Sequence, residues 1–348
     1  MAIECLGLEL TNRCDLACAH CLRSIVAPSS PRAVDIPFAL IQKMLGEARA
    51  AGISHVGMTG GEPMLHPDFM AIIDAIVDEG LTYHFLSNGL GLPAFMARWS
   101  QRPERRAALR DVCVSIDGPT EEIHDAVRGR GSFKRSLAGL AVLRAMGIPF
   151  VLLHTITRHS QQHIDQLGLM ASHLGARQLI LSHFLPNGRP GATTDLDLSI
   201  AERHEAEFVV KRLINTLRMP VLMAEGYYTE TVDHVCATVD RRALNIDPFG
   251  HLTFCCELSN FYGDAGAPRD RPDFVVDMRE VSLSQAIDHM GLKIDAFRSM
   301  RLAEDAAGLR TEEDKFACRY CVRHFGKPAQ EIVKIRRRPS HTSGDRAV

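Results

Sequence analysis

The sequence predicts an α/β protein in which a partial (β/α)6 barrel precedes a small C-terminal domain. From residue 3 to about residue 224, short apolar runs alternate with segments whose apolar residues recur at helical spacing, which is typical of βα units around a parallel sheet. We count six such units, fewer than the eight of a closed barrel. Half of the ten cysteines follow the last unit. We therefore expect a barrel over 1–224, a bridge over 225–235, a cysteine-containing domain over 236–326 and a basic, flexible tail over 327–348.

The strands and the first helices are predicted from the apolar pattern. The strands are predicted at Ile3–Leu10, His55–Met58, Tyr83–Leu86, Val112–Ile116, Phe150–Thr155 and Gln178–Ser182. Two helical stripes are formed by Phe38, Ile41, Leu45 and Ala48, and by Phe69, Ile72, Ile73, Ile76 and Val77. Gly52 and Gly80 follow these stripes, as glycine often does at helix C-termini.

Composition excludes several classes of protein. The chain of 348 residues is 46% hydrophobic and 24% charged, which indicates a globular protein. No apolar run reaches the roughly 18–20 residues that span a bilayer, and no signal peptide is visible, so we expect a cytoplasmic protein without a membrane partner. A net charge of -2 gives no global attraction to nucleic acid, and the basic run 334–338 is interpreted as part of a solvated tail.

The first cysteine group has an informative spacing. Cys14, Cys18 and Cys21 form CxxxCxxC, which fits a [4Fe-4S] cluster that has three protein thiolates and one iron free to bind a substrate. Ferredoxin clusters usually have four cysteine ligands, and zinc sites usually pair two CxxC elements. The alternative is a set of three buried or zinc-bound thiols.

A second motif follows about 40 residues later. Thr59-Gly60-Gly61-Glu62-Pro63 combines glycines that permit close backbone approach with a carboxylate that can pair with a cation. Together the two motifs resemble those of the radical S-adenosylmethionine (SAM) superfamily, which implies a TIM-like barrel with its chemistry at the C-terminal strand ends. The resemblance implies that the free iron chelates SAM, whose reductive cleavage gives a 5'-deoxyadenosyl radical that abstracts hydrogen. It also implies that Gly60, Gly61 and Glu62 bind the methionine ammonium, and that the backbone of His20 lies near adenine.

The later strand ends resemble the subgroup that carries C-terminal cluster domains. The blocks are Ser87-Asn88-Gly89, Ser115-Ile116-Asp117-Gly118 and His124-Asp125-Ala126-Val127-Arg128-Gly129. The resemblance implies that Ser115 contacts the SAM ribose or carboxylate and that Arg128 pairs with the carboxylate. Asn88 and Asp117 either shape the SAM pocket, with Ser87, or cap turns and helices.

The fifth and sixth strand ends are less regular. Thr157–Gln162 lacks the asparagine common in that subgroup, so no SAM contact is assigned there. Phe184–Arg189 resembles its PxGR loop, which implies that Leu185 packs on adenine and that Arg189 faces the substrate. Simple loop packing is the alternative for both residues.

The second cysteine group resembles an auxiliary-cluster motif. Cys236, Gly250 and Cys255 fit the CX9-15GX4C element of SPASM/twitch domains, and a hairpin around Pro248–Gly250 would bring the two thiols together. Cys318 and Cys321 complete four ligands for one auxiliary [4Fe-4S] cluster. A SPASM domain needs seven cysteines, so the chain resembles the shorter twitch form. The alternative is a structural four-cysteine zinc site.

The remaining candidates have weaker signals. Cys5 and Cys113 are predicted to be core residues. Cys256 follows a predicted ligand and is expected to point to the opposite side; it is either a hydrogen donor, as in some radical SAM epimerases, or a packing thiol. Tyr227 and Tyr228 either line a substrate pocket or pack between domains.

These features predict an enzyme with two [4Fe-4S] clusters that oxidises or cross-links a ribosomally made peptide. Its partners would be an electron donor such as flavodoxin or ferredoxin, and a separate leader-peptide recognition protein, because the first motif lies so near the N-terminus. The alternative substrate is a sugar, aminocyclitol or nucleoside that is dehydrogenated, epimerised or decarboxylated. The last alternative is a noncatalytic iron-sulfur or zinc protein.

Overall fold

The computed structural model describes residues 3–186, 194–232, 236–259, 269 and 271–325. One ten-stranded sheet runs through it in the order β10-β9-β8-β1-β2-β3-β4-β5-β6-β7. The strands are β1 (Cys5–Glu9), β2 (His55–Thr59), β3 (Thr82–Ser87), β4 (Leu109–Ser115), β5 (Phe150–Ile156), β6 (Gln178–His183), β7 (Val221–Met223), β8 (Ala243–Ile246), β9 (His251–Thr253) and β10 (Phe274–Asp277). The helices are α1 (Phe38–Ala48), α2 (Phe69–Asp78), α3 (Leu92–Trp99), α4 (Pro103–Ala108), α5 (Glu121–Arg128), α6 (Ser132–Ala145), α7 (Ile164–Leu174), α8 (Ile200–Thr216), α9 (Leu283–Ala306) and α10 (Ala317–His324).

The six predicted strands are confirmed as β1 to β6, which pair in parallel in sequence order. A seventh strand, β7, pairs in parallel with β6. It is only three residues long, too short to show an alternating pattern of its own. The outcome is a parallel barrel-type sheet that stays open, as the count of six units predicted.

The predicted helix ends are confirmed. Gly52 and Gly80 have φ values of +81° and +67°, which glycine adopts without strain. After each glycine, a backbone N–H donates to a carbonyl five residues earlier, from Ile53 to Ala48 at 2.9 Å and from Leu81 to Ile76 at 3.1 Å. This pattern is the Schellman motif, which stops a helix.

The C-terminal strands extend the barrel sheet. β8 pairs in parallel with β1 at the edge opposite β7, and β9 and β10 continue antiparallel from it. The predicted hairpin between β8 and β9 is confirmed: the Asp247 carboxylate accepts from the backbone N–H groups of Phe249 and His251 at 3.0 and 2.9 Å. Strand pairing is thus continuous across the predicted domain boundary, and the division into domains remains a proposal.

The first three strands have two distinct faces. Leu6 and Leu8 of β1 belong to the hydrophobic core with the apolar stripe of α1, whereas Cys5 and Gly7 line a cavity. The same alternation continues in β2 and β3, where Gly57, His84 and Leu86 line that cavity. Gly7 and Gly57 permit close packing there, because a Cβ on Gly57 would lie 2.7 Å from the His84 ring and one on Gly7 would lie 2.9 Å from the Leu244 oxygen.

Among the helices of the described ranges, none is long and apolar enough to cross a membrane.

Candidate active site

Most of the predicted site residues line one of two adjoining cavities. The smaller, of about 150 Å³, lies at the C-terminal ends of β1 to β4, and its lining includes Cys14, Cys18, His20, Cys21, Gly60, Gly61, Ser87, Asn88, Ser115 and Arg128. The larger, of about 320 Å³, lies inside the barrel and is lined by Cys236, Cys255, Cys256, Cys318 and Cys321, among others. Thr59 and Leu86 line both cavities. The two cysteine groups therefore line neighbouring cavities that share part of their walls.

The glycine loop packs directly against the segment that precedes Cys14. The N–H groups of Gly61 and Glu62 donate to the carbonyls of Thr11 and Arg13, both at 2.7 Å. A Cβ on Gly60 would lie 2.4 Å from the Thr11 oxygen, and one on Gly61 would lie 2.1 Å from the Arg13 oxygen. Contact between two loops thus requires both glycines, a reason that stands beside the close ligand approach we expected.

Glu62 is not among the residues that line the smaller cavity but is fixed by two that are, Ser87 and Asn88. Its carboxylate accepts from the backbone N–H of Asn88 at 2.8 Å and from the Ser87 hydroxyl at 3.2 Å. Burial raises the pKa of Glu62 to about 8, despite these hydrogen bonds. A buried carboxyl of this kind favours a cation as its partner, which agrees with a role in holding an ammonium group.

Asp117 organises the other side of this cavity. Its Oδ2 lies 2.5 Å from Arg128 Nε and 3.2 Å from His20 Nε2, and its Oδ1 accepts from Thr155 N at 2.9 Å. Burial alone would raise the pKa of Asp117, but Arg128, then His20 and His154, hold it well below its usual range. Asp117 therefore anchors Arg128 and His20 rather than capping a helix.

Arg128 contacts a thiol of the first group, and His20 has an unpartnered ring nitrogen within the described ranges. Arg128 Nη1 lies 4.0 Å from Cys18 Sγ. Burial lowers the pKa of His20 to about 4, although Asp117 opposes this, so its ring is neutral at pH 7. His20 Nδ1 is buried and has no hydrogen-bond partner within the described ranges, which leaves it available to a ligand.

Asn88 has mainly a loop-shaping role. Its amide donates to Asp15 Oδ1 at 2.7 Å, and its own Oδ1 accepts from Leu90 N at 2.9 Å. The Ser87 hydroxyl, besides donating to Glu62, accepts from Gly89 N at 2.9 Å. These contacts tie the end of β3 to the loop between Cys14 and Cys18.

The comparisons with known proteins agree with this geometry. A family model described as the radical SAM superfamily matches residues 8–168, the part of the chain that contains the smaller cavity. Residues 8–168 of the chain are a radical SAM domain by this match.

Curated relatives are similar to part of the chain. Mycofactocin maturase MftC of Mycobacterium ulcerans (strain Agy99) is 33% identical over 191 residues, which cover 53% of this chain and 48% of the relative. PqqA peptide cyclase of Ruegeria pomeroyi is 31% identical over 177 residues, covering 49% and 44%. The chain thus spans about half the length of the curated relatives it matches.

A solved structure supports the fold beyond this part. Streptococcus suis SuiB bound to precursor peptide SuiA superposes with a TM-score of 0.58 at 13% identity, covering 74% of this chain and 60% of that chain. At this identity the likeness concerns the fold alone.

The first cysteine group fits the cluster that radical SAM proteins carry. Burial raises the pKa of Cys14 to about 12 and that of Cys18 to about 11, so both are protonated thiols in the metal-free protein and iron must displace the protons. Within the described ranges, no three acidic, cysteine or histidine side chains yet converge tightly enough to hold a metal ion. Soft thiolates suit iron-sulfur clusters, and the radical SAM family implies one [4Fe-4S] cluster with SAM.

The second cysteine group is built into the larger cavity. Burial raises the pKa of Cys236 to about 11 and that of Cys321 to about 12. Gly226, at the end of the barrel, has φ +103°, and a Cβ there would lie 2.8 Å from Cys318 Sγ. The bridge thus passes close to this thiol, a contact that a side chain at position 226 would disturb.

Cys256 and Cys5 differ from expectation. Cys256 lines the same cavity as Cys255 rather than pointing away from it, because a turn begins at Cys256, with Leu258 N donating to Cys255 O at 3.0 Å, and the strand alternation ends. Cys5 also lines this cavity instead of packing in the core. Cys113 is buried beside Asp111, as expected of a packing thiol.

The remaining candidates lie elsewhere. Tyr228 packs at the base of the bridge, with ring centroids 4.5 Å from His204 and 5.5 Å from Phe316, and Tyr227 is 41% exposed. Neither tyrosine is among the residues that line the larger cavity. Leu185 lines the larger cavity rather than the smaller one, and Arg189 lies outside the described residues.

Sequence reasoning missed a buried pair at the end of β6. His183 lines the larger cavity, and its Nε2 lies 3.1 Å from Glu207 Oε1. Its Nδ1 is buried without a partner in the described part of the chain. The position of His183 at a strand end was a usable signal, whereas nothing in the sequence pairs it with Glu207 on α8.

Proposed function

We propose that this chain is a radical SAM enzyme that oxidises or cross-links a ribosomally made peptide, using one catalytic and one auxiliary [4Fe-4S] cluster. Cys14, Cys18 and Cys21 hold the first cluster, and Cys236, Cys255, Cys318 and Cys321 hold the second, in a twitch-type domain. The observation that carries the proposal is that the two cysteine groups line neighbouring cavities, which share Thr59 and Leu86 as lining residues.

The bound clusters and SAM supply the electron transfer and the radical, and the chain's own residues position them. Glu62, fixed by Asn88 N and Ser87, pairs with the ammonium of SAM. Arg128, fixed by Asp117, faces the cavity beside Cys18 and pairs with the carboxylate of SAM. A substrate C–H bond in the larger cavity then lies between the radical source and the second cysteine group.

A peptide substrate is favoured by the relatives. One curated relative is named a PqqA peptide cyclase, and the SuiB structure holds a precursor peptide. The cavity inside the barrel accepts a side chain rather than a folded domain, because its volume is only about 320 Å³. An extended peptide that inserts one side chain fits this space.

The test is anaerobic reconstitution followed by two measurements. Two clusters predict about eight iron atoms per chain, and dithionite should produce 5'-deoxyadenosine from SAM. Replacing Cys14, Cys18 and Cys21 with Ala should abolish cleavage, whereas Cys318→Ala with Cys321→Ala should halve the iron and leave cleavage. Cys113→Ala is the control, because this thiol lies outside both cavity linings.

Substrate class is tested with short peptides encoded beside the gene. A peptide that loses hydrogen atoms by mass spectrometry, only with SAM and reductant, supports the peptide proposal. Turnover of an amino sugar or nucleoside, with every such peptide unchanged, would replace it with the small-molecule alternative. Zinc binding without SAM cleavage would overturn both.

A further inference from the structure

Arg23 reaches from the first cysteine loop to the second. It lies two residues after Cys21, yet its Nη1 is 2.8 Å from the carbonyl oxygen of Cys256 and 2.7 Å from the hydroxyl oxygen of Ser259. The same nitrogen is 2.5 Å from Glu9 Oε2. The Arg23 residue is only 9% exposed. One buried guanidinium therefore contacts both the end of β1 and the segment that carries the Cys255 and Cys256 thiols.

Glu9 spreads this contact to the C-terminal strands. It is fully buried at the end of β1, and its Oε1 accepts hydrogen bonds from Asn245 Nδ2 of β8 at 2.7 Å and from the Ser259 hydroxyl. Asn245 also donates to Thr253 Oγ1 of β9 at 2.8 Å. The network thus connects the first cysteine loop, β1, β8, β9 and the turn after β9.

The charge of Arg23 lies near one thiol of the first group and near Cys256, the neighbour of the predicted ligand Cys255. Cys256 and Cys21 are both close enough for electrostatic interaction with its guanidinium. Arg13 provides a contrast, because it directly precedes Cys14 but its side chain pairs with Asp35 and the Pro28 carbonyl. In the described part of the chain, the side-chain hydrogen bonds of Arg13 thus stay within the N-terminal segment.

Stability alone does not explain such a pair. Replacing a buried ion pair with well-packed apolar side chains often leaves stability unchanged or raises it. The Arg23–Glu9 pair instead fixes the position of the segment at Cys256 and Ser259, and it holds a charge in a fixed place.

We propose that Arg23 is a positioning residue that couples the two cysteine sites: it fixes the Cys255–Cys256 turn relative to the Cys21 loop and places a positive charge between them. The positioning role concerns the chain itself, whereas the effect of the charge on an auxiliary cluster rests on the proposed function. A nearby cation stabilises the reduced, more negative form of a cluster, so its removal lowers the reduction potential.

The positioning role is tested in the metal-free full chain by hydrogen–deuterium exchange. Arg23→Gln should increase the exchange rate of backbone amides 255–259 by about tenfold, because the turn loses its anchor. Arg23→Lys should restore part of the protection, and Arg13→Gln should leave these amides unchanged. Unchanged exchange at 255–259 in Arg23→Gln would overturn the positioning role. Should Arg23→Gln not fold, Ser259→Ala removes one contact to each of Arg23 and Glu9, and the same amides should exchange faster.

The charge is tested in the reconstituted protein by a potentiometric titration followed by electron paramagnetic resonance. Arg23→Gln should shift the auxiliary cluster to a lower potential, whereas Arg23→Lys should keep it near that of the unmodified protein. An unshifted potential in Arg23→Gln would overturn the role of the charge. If the unmodified protein binds a single cluster, the auxiliary site of the proposed function fails, and the exchange experiment still decides the positioning role.

Discussion

Asp117 holds Arg128 at 2.5 Å, and Arg128 in turn brings Nη1 to 4.0 Å from Cys18 Sγ. This arrangement places a fixed cation beside a cysteine of the first group before any cluster is bound. The carboxylate is fully buried, and its low pKa depends on that cation. The two residues therefore form one unit, and removal of either leaves a buried charge.

Asp117→Asn should destabilise the metal-free protein by about 3–5 kcal/mol, the usual effect of breaking a buried ion pair. Urea unfolding followed by circular dichroism measures this. The control is Asp78→Asn, whose partner Arg102 lies 2.5 Å away but whose side chain is 64% exposed; such surface pairs contribute about 0–1 kcal/mol. Equal losses in the two variants would show that Asp117 and Arg128 are not coupled as described.

Binding of SAM should strengthen as pH rises toward 8. Because burial raises the pKa of Glu62 to about 8, this carboxyl is protonated at lower pH and must lose its proton to pair with the ammonium of SAM. Titration calorimetry of the reconstituted protein, in two buffers with different ionisation enthalpies, should show proton release at pH 7. Glu62→Gln should bind more weakly, and its affinity should lose this pH dependence. Proton release that persists in Glu62→Gln would assign it to another group.

The carboxyl group of Glu62 should also make the stability of the folded protein depend on pH. A folded-state pKa above the ordinary value of 4.5 means that the folded protein holds a proton that the unfolded chain has lost. The contribution is fully present below pH 4.5 and is lost as pH rises through about 8. The metal-free protein should therefore become less stable over this range, and Glu62→Gln should reduce that loss. A pH profile of urea midpoints decides this.

Local sequence patterns predicted the fold and much of the site, because the strands, the helix ends and the cavity motifs each depend on residues that are close together in the sequence. The strands follow from apolar runs, the helix ends follow from Gly52 and Gly80, and the smaller cavity follows from motifs at adjacent strand ends. Strand alternation also predicts where Cys5 points. Leu6 and Leu8 occupy the core face of β1, so Cys5 lies on the opposite face, toward the cavity.

What the sequence did not reveal depends on tertiary contacts. The pairing of β8 with β1 joins residues more than 230 positions apart, and the same holds for the contact of Arg23 with Cys256. Cys256 was predicted to point away from Cys255 because we extended the strand alternation to it. The turn after β9 interrupts that alternation. The contact of Gly61 with the Arg13 backbone was not predicted, because a glycine motif indicates that another group comes close to the backbone but does not indicate which group.

Gly61→Ala should prevent correct assembly of the first cluster site. Its Cβ would lie 2.1 Å from the Arg13 oxygen, so the segment before Cys14 must shift, at a cost of about 1–3 kcal/mol or more. Iron content and urea unfolding should both fall. Gly46→Ala is the matched control, because Gly46 lies on the exposed face of α1, its Cβ would meet nothing within 4 Å, and alanine favours a helix by about 1 kcal/mol. Normal iron content in Gly61→Ala would contradict the close contact.

Gly226→Ala should affect the second cysteine group alone. The residue has φ +103°, and a Cβ would lie 2.8 Å from Cys318 Sγ, so the bridge must move away from this thiol. We expect the variant to lose about four iron atoms per chain, one [4Fe-4S] cluster, while it still cleaves SAM. Gly175→Ala separates backbone strain from the thiol contact, because Gly175 has φ +79° with open space around its Cβ. If Gly175→Ala lost as much iron as Gly226→Ala, general backbone strain would be the cause. If both variants kept all their iron, Cys318 would not need this close approach to bind its cluster.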